Sequence, residues 1–292
     1  MTKSIDALSY SPAAERFVDE SGPIRLLHAF TNACNLINAK DEILAVVSPG
    51  IGNGPFNLVV NQVDFLTQIP SDPQLSIDHG KLHLGRMIIN TTTAQIWQPH
   101  PNWPALHRQK HILLSSCEII EGILTSHAPP DSLANLTVAA SPSNRLQSQI
   151  FTHARQAIAL LSTGLPNNDP SSIKAGASRL AGLGPGLTPA GDDFLLGILL
   201  GLWALLPSNQ AHTISGTILQ AAAPRTSPLS TAWLKAAAAG EAGESWHHLF
   251  EAIINDDVGR LRGAVHRILP TGHTSGADAL AGFVHLLSLE YP

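Results

Sequence analysis

Hydrophobic positions follow two rhythms along this chain. Over the first hundred residues they gather in short runs broken by glycine, proline and polar residues. Arg25–Asn38 reads as a strand and turn, and Glu42–Ser48 as a β-branched run that stops at Pro49-Gly50. Phe56–Asn61 is a further strand. Ser76–Gln98 continues in alternating segments, with Gly80 and Gly85 as turn or bulge positions. Closely spaced short strands predict a barrel-like sheet. Three prolines in Pro99–Pro104 then break the pattern, because proline fits neither a helix interior nor a central strand.

Beyond that junction the apolar spacing turns helical. Leu106–Ser126 carries Ile112, Leu113, Cys117, Ile120 and Leu124 at helical intervals. Ser143–Leu161 places Leu146, Ile150, Ala154, Ala157, Ile158 and Leu161 on one face, with Ser141 or Ser143 as N-cap. Helices are also predicted over Ser171–Leu180, from Phe194 to Leu206, and over Ala211–Ala222, Leu229–Ala239, Glu244–Ile254, Asp257–Ile268 and Ser275–Leu289. The expected fold is α+β: a β-rich, barrel-like domain over residues 1–104 and a helical domain over 105–292.

Composition changes this picture in one respect. Only 13% of residues are charged, about half the usual share, and the formal net charge is −5. So little charge suggests surface committed to partners or to an oligomer. The absence of a Lys/Arg cluster argues against nucleic-acid binding. No apolar leader is seen at the N-terminus, and the longest apolar run is broken by Gly197 and Gly201, so a cytoplasmic protein off the membrane is expected. Cys34 and Cys117 form neither a disulfide framework nor a zinc motif, and Cys117 reads as a buried, inert thiol. His79 and His83 lie in a strand-like stretch, on one face but far apart, and His107 and His111 lack a third ligand, so no metal is expected. His247 and His248 read as helix-surface residues. No nucleophile elbow, Walker loop or dinucleotide fingerprint is present.

The candidate chemistry concentrates in Gly182–Leu206. Gly182, Gly184 and Gly186 precede Thr188, the expected N-cap, and Pro189, expected at the first helical position. Asp192 and Asp193 follow in the first turns. A helix start behind glycines offers N–H groups and a partial positive charge, a setting for phosphate or carboxylate. Gly191 costs helix stability, about 1 kcal/mol, and calls for a close approach by a ligand or another backbone.

A second segment, Thr271–Leu287, repeats this logic. Thr274 parallels Thr188, Asp278 parallels Asp192 or Asp193, and Gly282 parallels Gly197 to within a residue. Two related helix starts would face one cleft, with Ser275, Gly276 and His273 beside it. A third loop, with Arg225 and Thr226, also opens a helix, and arginine recognises carboxylate or phosphate. The candidate catalytic residues are Asp192, Asp193 and Asp278. The candidate binding residues are Gly184, Gly186, Thr188, Gly191, Arg225, Thr226, His273, Thr274, Ser275, Gly276 and, from the N-terminal glycine loop, Asn53.

GLGPGLTPAGDDFLLG with the downstream GHTSGADALAG resembles the signature of the AllH-like proteins, and GNGPFNLVV is similar to that family's N-terminal glycine-proline-strand segment. This is the family of the third subunit of bacterial oxamate carbamoyltransferase, formerly a domain of unknown function found beside FdrA-like proteins. The resemblance implies a carbamoyltransferase subunit of purine or allantoin catabolism. It implies oxalurate and oxamate as the organic ligands, phosphate or carbamoyl phosphate as co-substrate, FdrA-like partners and no cofactor. A non-catalytic scaffolding subunit and a stand-alone enzyme on another small carboxylate are the competing readings.

Overall fold

The computed structural model describes residues 3–20, 22–61, 63–70, 73–78, 80–136 and 145–289. Ser141, Ser143 and His79 lie outside them. The chain forms two compact units, one of residues 1–99 with 242–244, the other of residues 100–241 with 245–292.

The first unit is a nine-stranded sheet: β1 (Lys3–Tyr10), β2 (Ile24–Ala29), β3 (Ala33–Asn38), β4 (Ile43–Val47), β5 (Asn57–Val60), β6 (Leu75–Asp78), β7 (Lys81–Leu84), β8 (Met87–Asn90) and β9 (Gln95–Ile96). Its order is β2-β3-β4-β5-β1-β8-β7-β6, with β9 on β1. β1 holds it together by changing partners. Residues 3–6 run parallel to β8; from Ala7 on, with an irregularity between Ala7 and Ser9, it pairs antiparallel with β5. The terminal strands β2 and β6 approach each other, so the sheet is nearly closed and barrel-like, as predicted. β4 and β5 are buried at every position, which is why they read as unbroken apolar runs. The helix α1 (Pro12–Asp19) starts on a Ser11 cap and adds Ala14, Phe17 and Val18 to the core; a short helix, α2 (Phe65–Gln68), follows β5.

The second unit is helical: α3 (Trp103–Arg108), α4 (Lys110–His127), α5 (Arg145–Gly164), α6 (Pro170–Leu180), α7 (Ala190–Leu205), α8 (Ser208–Ala222), α9 (Pro228–Ala238), α10 (Glu244–Ile254, from its second residue), α11 (Val258–Ile268) and α12 (Ser275–Leu287). α7 is its centre: among its residues only Leu196 is not buried, matching a helix that is apolar on all sides. Trp103, Trp203, Trp246, Phe250 and Phe283 pack into one aromatic cluster, with ring centroids 5.0–6.2 Å apart along the chain of contacts.

Several expectations need correction. The junction is partly helical, because Pro104 occupies the first turn of α3, where its missing N–H costs nothing. The single helix over Leu106–Ser126 is two, with a break at Gln109. On α5, Leu146 is exposed, and Phe151 and Gln147 are buried instead. Cys117 is half-buried and not fully enclosed; burial still pushes its thiol up to about 12, so it is unreactive. No described helix is long and apolar enough to cross a membrane.

Candidate functional site

α7 and α12 run side by side in the same direction. Thr188 meets Ser275 at the start of the pair, Gly197 faces Ala279 and Phe283 in the middle, and Gly201 faces Leu286 beyond. The contact is backbone against backbone. A Cβ at Gly197 would run into the Ala279 carbonyl oxygen, and a Cβ at Gly282 into the Phe194 carbonyl oxygen. These two contacts are mirror statements of one another. The interval from Gly197 to Gly282 also separates Phe194 from Ala279, Gly191 from Gly276 and Asp193 from Asp278. The two helix starts are therefore related by a local pseudo-two-fold, and the register is settled: Asp278 corresponds to Asp193, and Asp192 corresponds to Ala277.

Each start is built alike. Gly191 sits against the carbonyl of Leu180, the last residue of α6, and Gly276 against that of Ile268, the last residue of α11. Neither position has room for a Cβ, and this is the close approach that the in-helix glycine called for. The glycine turn before α7 is left-handed at Gly182, Gly184 and Gly186, with φ of +72°, +115° and +107°. The cap is shifted from expectation. Pro189 is the N-cap and α7 begins at Ala190, so Thr188 lies outside the helix and turns its hydroxyl to Ser275 Oγ at 3.0 Å. Thr274 does occupy the N-cap of α12, but its side chain makes no capping bond. By register it pairs with Pro189, not with Thr188.

The amides of these starts are largely used at home. Gly191 N–H donates to Leu183 O, Asp192 and Asp193 N–H to Pro189 O, Gly276 N–H to Thr271 O and Asp278 N–H to Thr274 O. What the site presents instead is carboxylate. Asp278 is fully buried. Its Oδ1 accepts from Ser132 Oγ at 2.7 Å and from the Leu133 amide at 2.6 Å, while its Oδ2 has no hydrogen-bond partner. Asp193 is 8% exposed, and its Oδ2 is also without a partner. The Ser275 and Thr188 hydroxyls lie beside it. Asp192 is different: Oδ1 accepts from Gly182 N–H at 2.9 Å and Oδ2 accepts from the Thr226 hydroxyl, so both oxygens are committed to pinning the glycine turn and the loop before α9 onto α7.

Burial and mutual repulsion set the charge state. Burial pushes the Asp278 carboxyl up to about 6, against hydrogen bonds from Ser132, Thr274 and Leu133 that pull it down. Burial raises Asp193 well above the usual carboxylate range, and the charges of Asp278 and Asp192 raise it further. Asp192 is raised as well, by burial. The groups that set these values in the described residues include no cation. Two buried carboxyls of raised pKa, each with a spare oxygen, can hold or move a proton, or accept from an N–H donor.

The remaining candidates are dispersed. His273 is exposed, with Nε2 3.2 Å from Asp131, next to the Ser132 that grips Asp278. Arg225 is exposed, one residue from Thr226. Asn53 belongs to the first unit, where its amide group accepts from Ser9 at 2.6 Å and donates to Glu244 at 2.9 Å. His107 bonds the Trp203 carbonyl at 2.9 Å, and no group of three or more metal-ligating side chains occurs among the described residues.

The helix pair lies within residues 180–287, which match the family model described as oxamate carbamoyltransferase subunit AllH, and residues 7–96 match that of the AllH family N-terminal domain. The chain belongs to the AllH family. No solved structure matches it. The AllH model begins at the last residue of α6 and ends at the last residue of α12, so it spans both helix starts and the Thr226 loop. The family's description makes it one subunit of a carbamoyltransferase.

The Asp192 clamp has a direct test. Thr226→Val removes the donor and leaves a buried carboxylate oxygen unpaired, which is expected to cost about 1–3 kcal/mol in urea unfolding. Stability equal to wild type contradicts the clamp.

Proposed function

We propose that this chain is a working subunit of an oxamate carbamoyltransferase, and that the start of the α7–α12 pair is where the carbamoyl group is handled. The reaction moves a carbamoyl group from oxalurate to phosphate. The bond from the carbamoyl carbon to the oxamate nitrogen breaks, a bond to a phosphate oxygen forms, and the nitrogen gains a proton to leave as oxamate. The single observation that carries this reading is the pair Asp193 and Asp278: two buried carboxyls on equivalent helix starts, each with an oxygen left open. A carboxyl of raised pKa beside the scissile bond can deliver that proton. Arg225, exposed next to Thr226, supplies the charge for the carboxylate or phosphate end. FdrA-like subunits complete the enzyme, in purine or allantoin breakdown, and no further cofactor is invoked.

One observation favours a scaffolding role instead. Gly191, Gly197, Gly276 and Gly282 are all explained by backbone contact, without a ligand. Reconstitution separates the two readings. Partner subunits mixed with this chain are expected to form carbamoyl phosphate from oxalurate and phosphate, and to lose that activity when the chain is omitted. An assembled complex whose activity is the same without this chain contradicts the catalytic reading.

A further inference from the structure

We propose that the outer face of α11 is a docking surface for another subunit of the enzyme, and that its occupant is a helix carrying carboxylates. The proposal goes beyond the reading of the α7–α12 site and holds whether or not that site is catalytic. Leu261, Ala264, Val265 and Ile268 turn inward. At 100° per residue the opposite side has Gly259 and Gly263 in its middle. Val258 and Arg262 line one flank, and Arg260 and Arg267 the other. Val258 and all three arginines are exposed.

Three features set this face apart from an ordinary solvated helix. The first is unbalanced charge. No acidic residue occurs from Val258 to Ala277, and Arg262 and Arg267 make no ion pair among the described residues. Arg260 alone is paired, with the capping Asp257 at 3.5 Å. In a chain of net charge −5 this is a local excess of cation, and on α11 it is held by arginine without lysine. Guanidinium groups grip carboxylates through paired hydrogen bonds, and arginine is enriched where proteins meet while lysine is depleted. The second feature is glycine. A helical glycine costs stability, and a Cβ at Gly263 would meet nothing within 4 Å, so no packing inside the chain offsets that cost. The third is missing cover. α6 seats Gly191 as α11 seats Gly276, and α5 crosses α6 closely at Gly176, against Ala157 and Leu161. α11 has α4 and α12 beside it, and no described element crosses its outward glycines. A helix from outside, laid along Gly259 and Gly263 with carboxylates toward the arginines, answers all three. One helix face on a negatively charged chain is a small footprint for nucleic acid. The occupant would lie close to the candidate site, because the carbonyl of Ile268, the last residue of α11, abuts Gly276.

The experiment is calorimetric titration of the full chain into the other subunits of the oxamate carbamoyltransferase, co-expressed without it. The wild-type chain is expected to bind, and more weakly as salt is raised. Arg262→Glu and Arg267→Glu are each expected to weaken binding at least about tenfold, and Lys174→Glu on α6, the same charge change elsewhere, to leave it unchanged. Gly263→Ala separates docking from folding: it is expected to melt at or above wild type and still to bind at least about tenfold more weakly. Gly216→Ala on α8 is expected to bind as wild type. Absence of binding by the wild-type chain overturns the proposal, and so does equal binding by the two arginine variants and Gly263→Ala. Duplex DNA or phosphatidylserine vesicles bound by the wild-type chain and released by Arg262→Glu also overturn it, as does self-association of the chain that the same variant abolishes. A complex that forms through this face but makes no carbamoyl phosphate removes the functional reading alone. An active complex whose affinity ignores all three variants removes this assignment alone.

Discussion

Replacing Gly197 or Gly282 by alanine is expected to destabilise the helical unit by about 2–4 kcal/mol, lowering its melting temperature by roughly 5–15 °C. In each case the added Cβ runs into a backbone carbonyl of the facing helix, at Ala279 or Phe194. Backbone atoms at the centre of a helix pair cannot rotate aside, as the end of a long side chain can. The helices must separate, and the apolar surface of α7 loses contact along its length. Gly216 on α8 and Gly263 on α11 are the controls. A Cβ there has nothing within 4 Å, so alanine is expected to be neutral or to stabilise by up to about 1 kcal/mol, its helix-propensity advantage. If all four alanine variants melt alike, the backbone contact between α7 and α12 is wrong.

Asp278 is expected to make the protein less stable as pH rises. Its carboxyl sits at about 6 in the fold, against an ordinary value of 3.8. Between those values the folded chain binds a proton that the unfolded chain has released. The contribution is thus fully present below the unfolded pKa and is lost as pH climbs through the folded one. Its size is about 3 kcal/mol, lost between roughly pH 4 and pH 6. Asp193, raised in the same direction, acts with the same sign. The other carboxyls that face this pair are Asp192 and Asp131, and both raise the cost of ionisation. Asp278→Asn removes this group's share of the slope, and is expected to be more stable than wild type at pH 7–8 by about 1–3 kcal/mol but not at pH 4. Urea melts across that range read it directly. A variant that tracks wild type at every pH contradicts a buried, ionising Asp278.

These two effects pull against each other in a telling way. The glycines stabilise the pair by letting it close, and closure buries two carboxyls at its start, with no cation among the described groups that act on them. A fold under selection for stability alone would not keep both. Residues costly to the fold beside such close contacts are what the proposed site requires.

Much of this was legible in the residues. β4 and β5 announce themselves as apolar runs, and α7 as an apolar helix behind a glycine turn. The repeat of glycine, aspartate and glycine in α7 and α12 is also visible as letters. Its register is legible too: GDDFLLG and GADALAG align without a gap, Gly191 with Gly276, Asp193 with Asp278 and Gly197 with Gly282, and the reciprocal contacts of Gly197 and Gly282 agree with it. β1 is hard to read because Leu8 is exposed while Ile5 and Ala7 face inward, so its apolar letters do not alternate as its burial does. α1 carries a readable start in Ser11-Pro12, a capping serine followed by proline at the first helical turn. The grip of Ser132 and Leu133 on Asp278 joins residues 146 and 145 positions apart, and no local pattern encodes such a contact. The helix-start amides misled for a related reason. A free N-terminus offers donors, but these turns fold back so that nearby carbonyls consume them.

The central claim is that Asp193 and Asp278 act on the carbamoyl group. Its most direct test is carbamoyl phosphate formation from oxalurate and phosphate by the reconstituted enzyme carrying Asp193→Asn or Asp278→Asn, with assembly verified by gel filtration. The account predicts a fall in kcat of about a hundredfold or more in each variant, with the complex intact. An intact complex turning over at the wild-type rate with either aspartate replaced would contradict it.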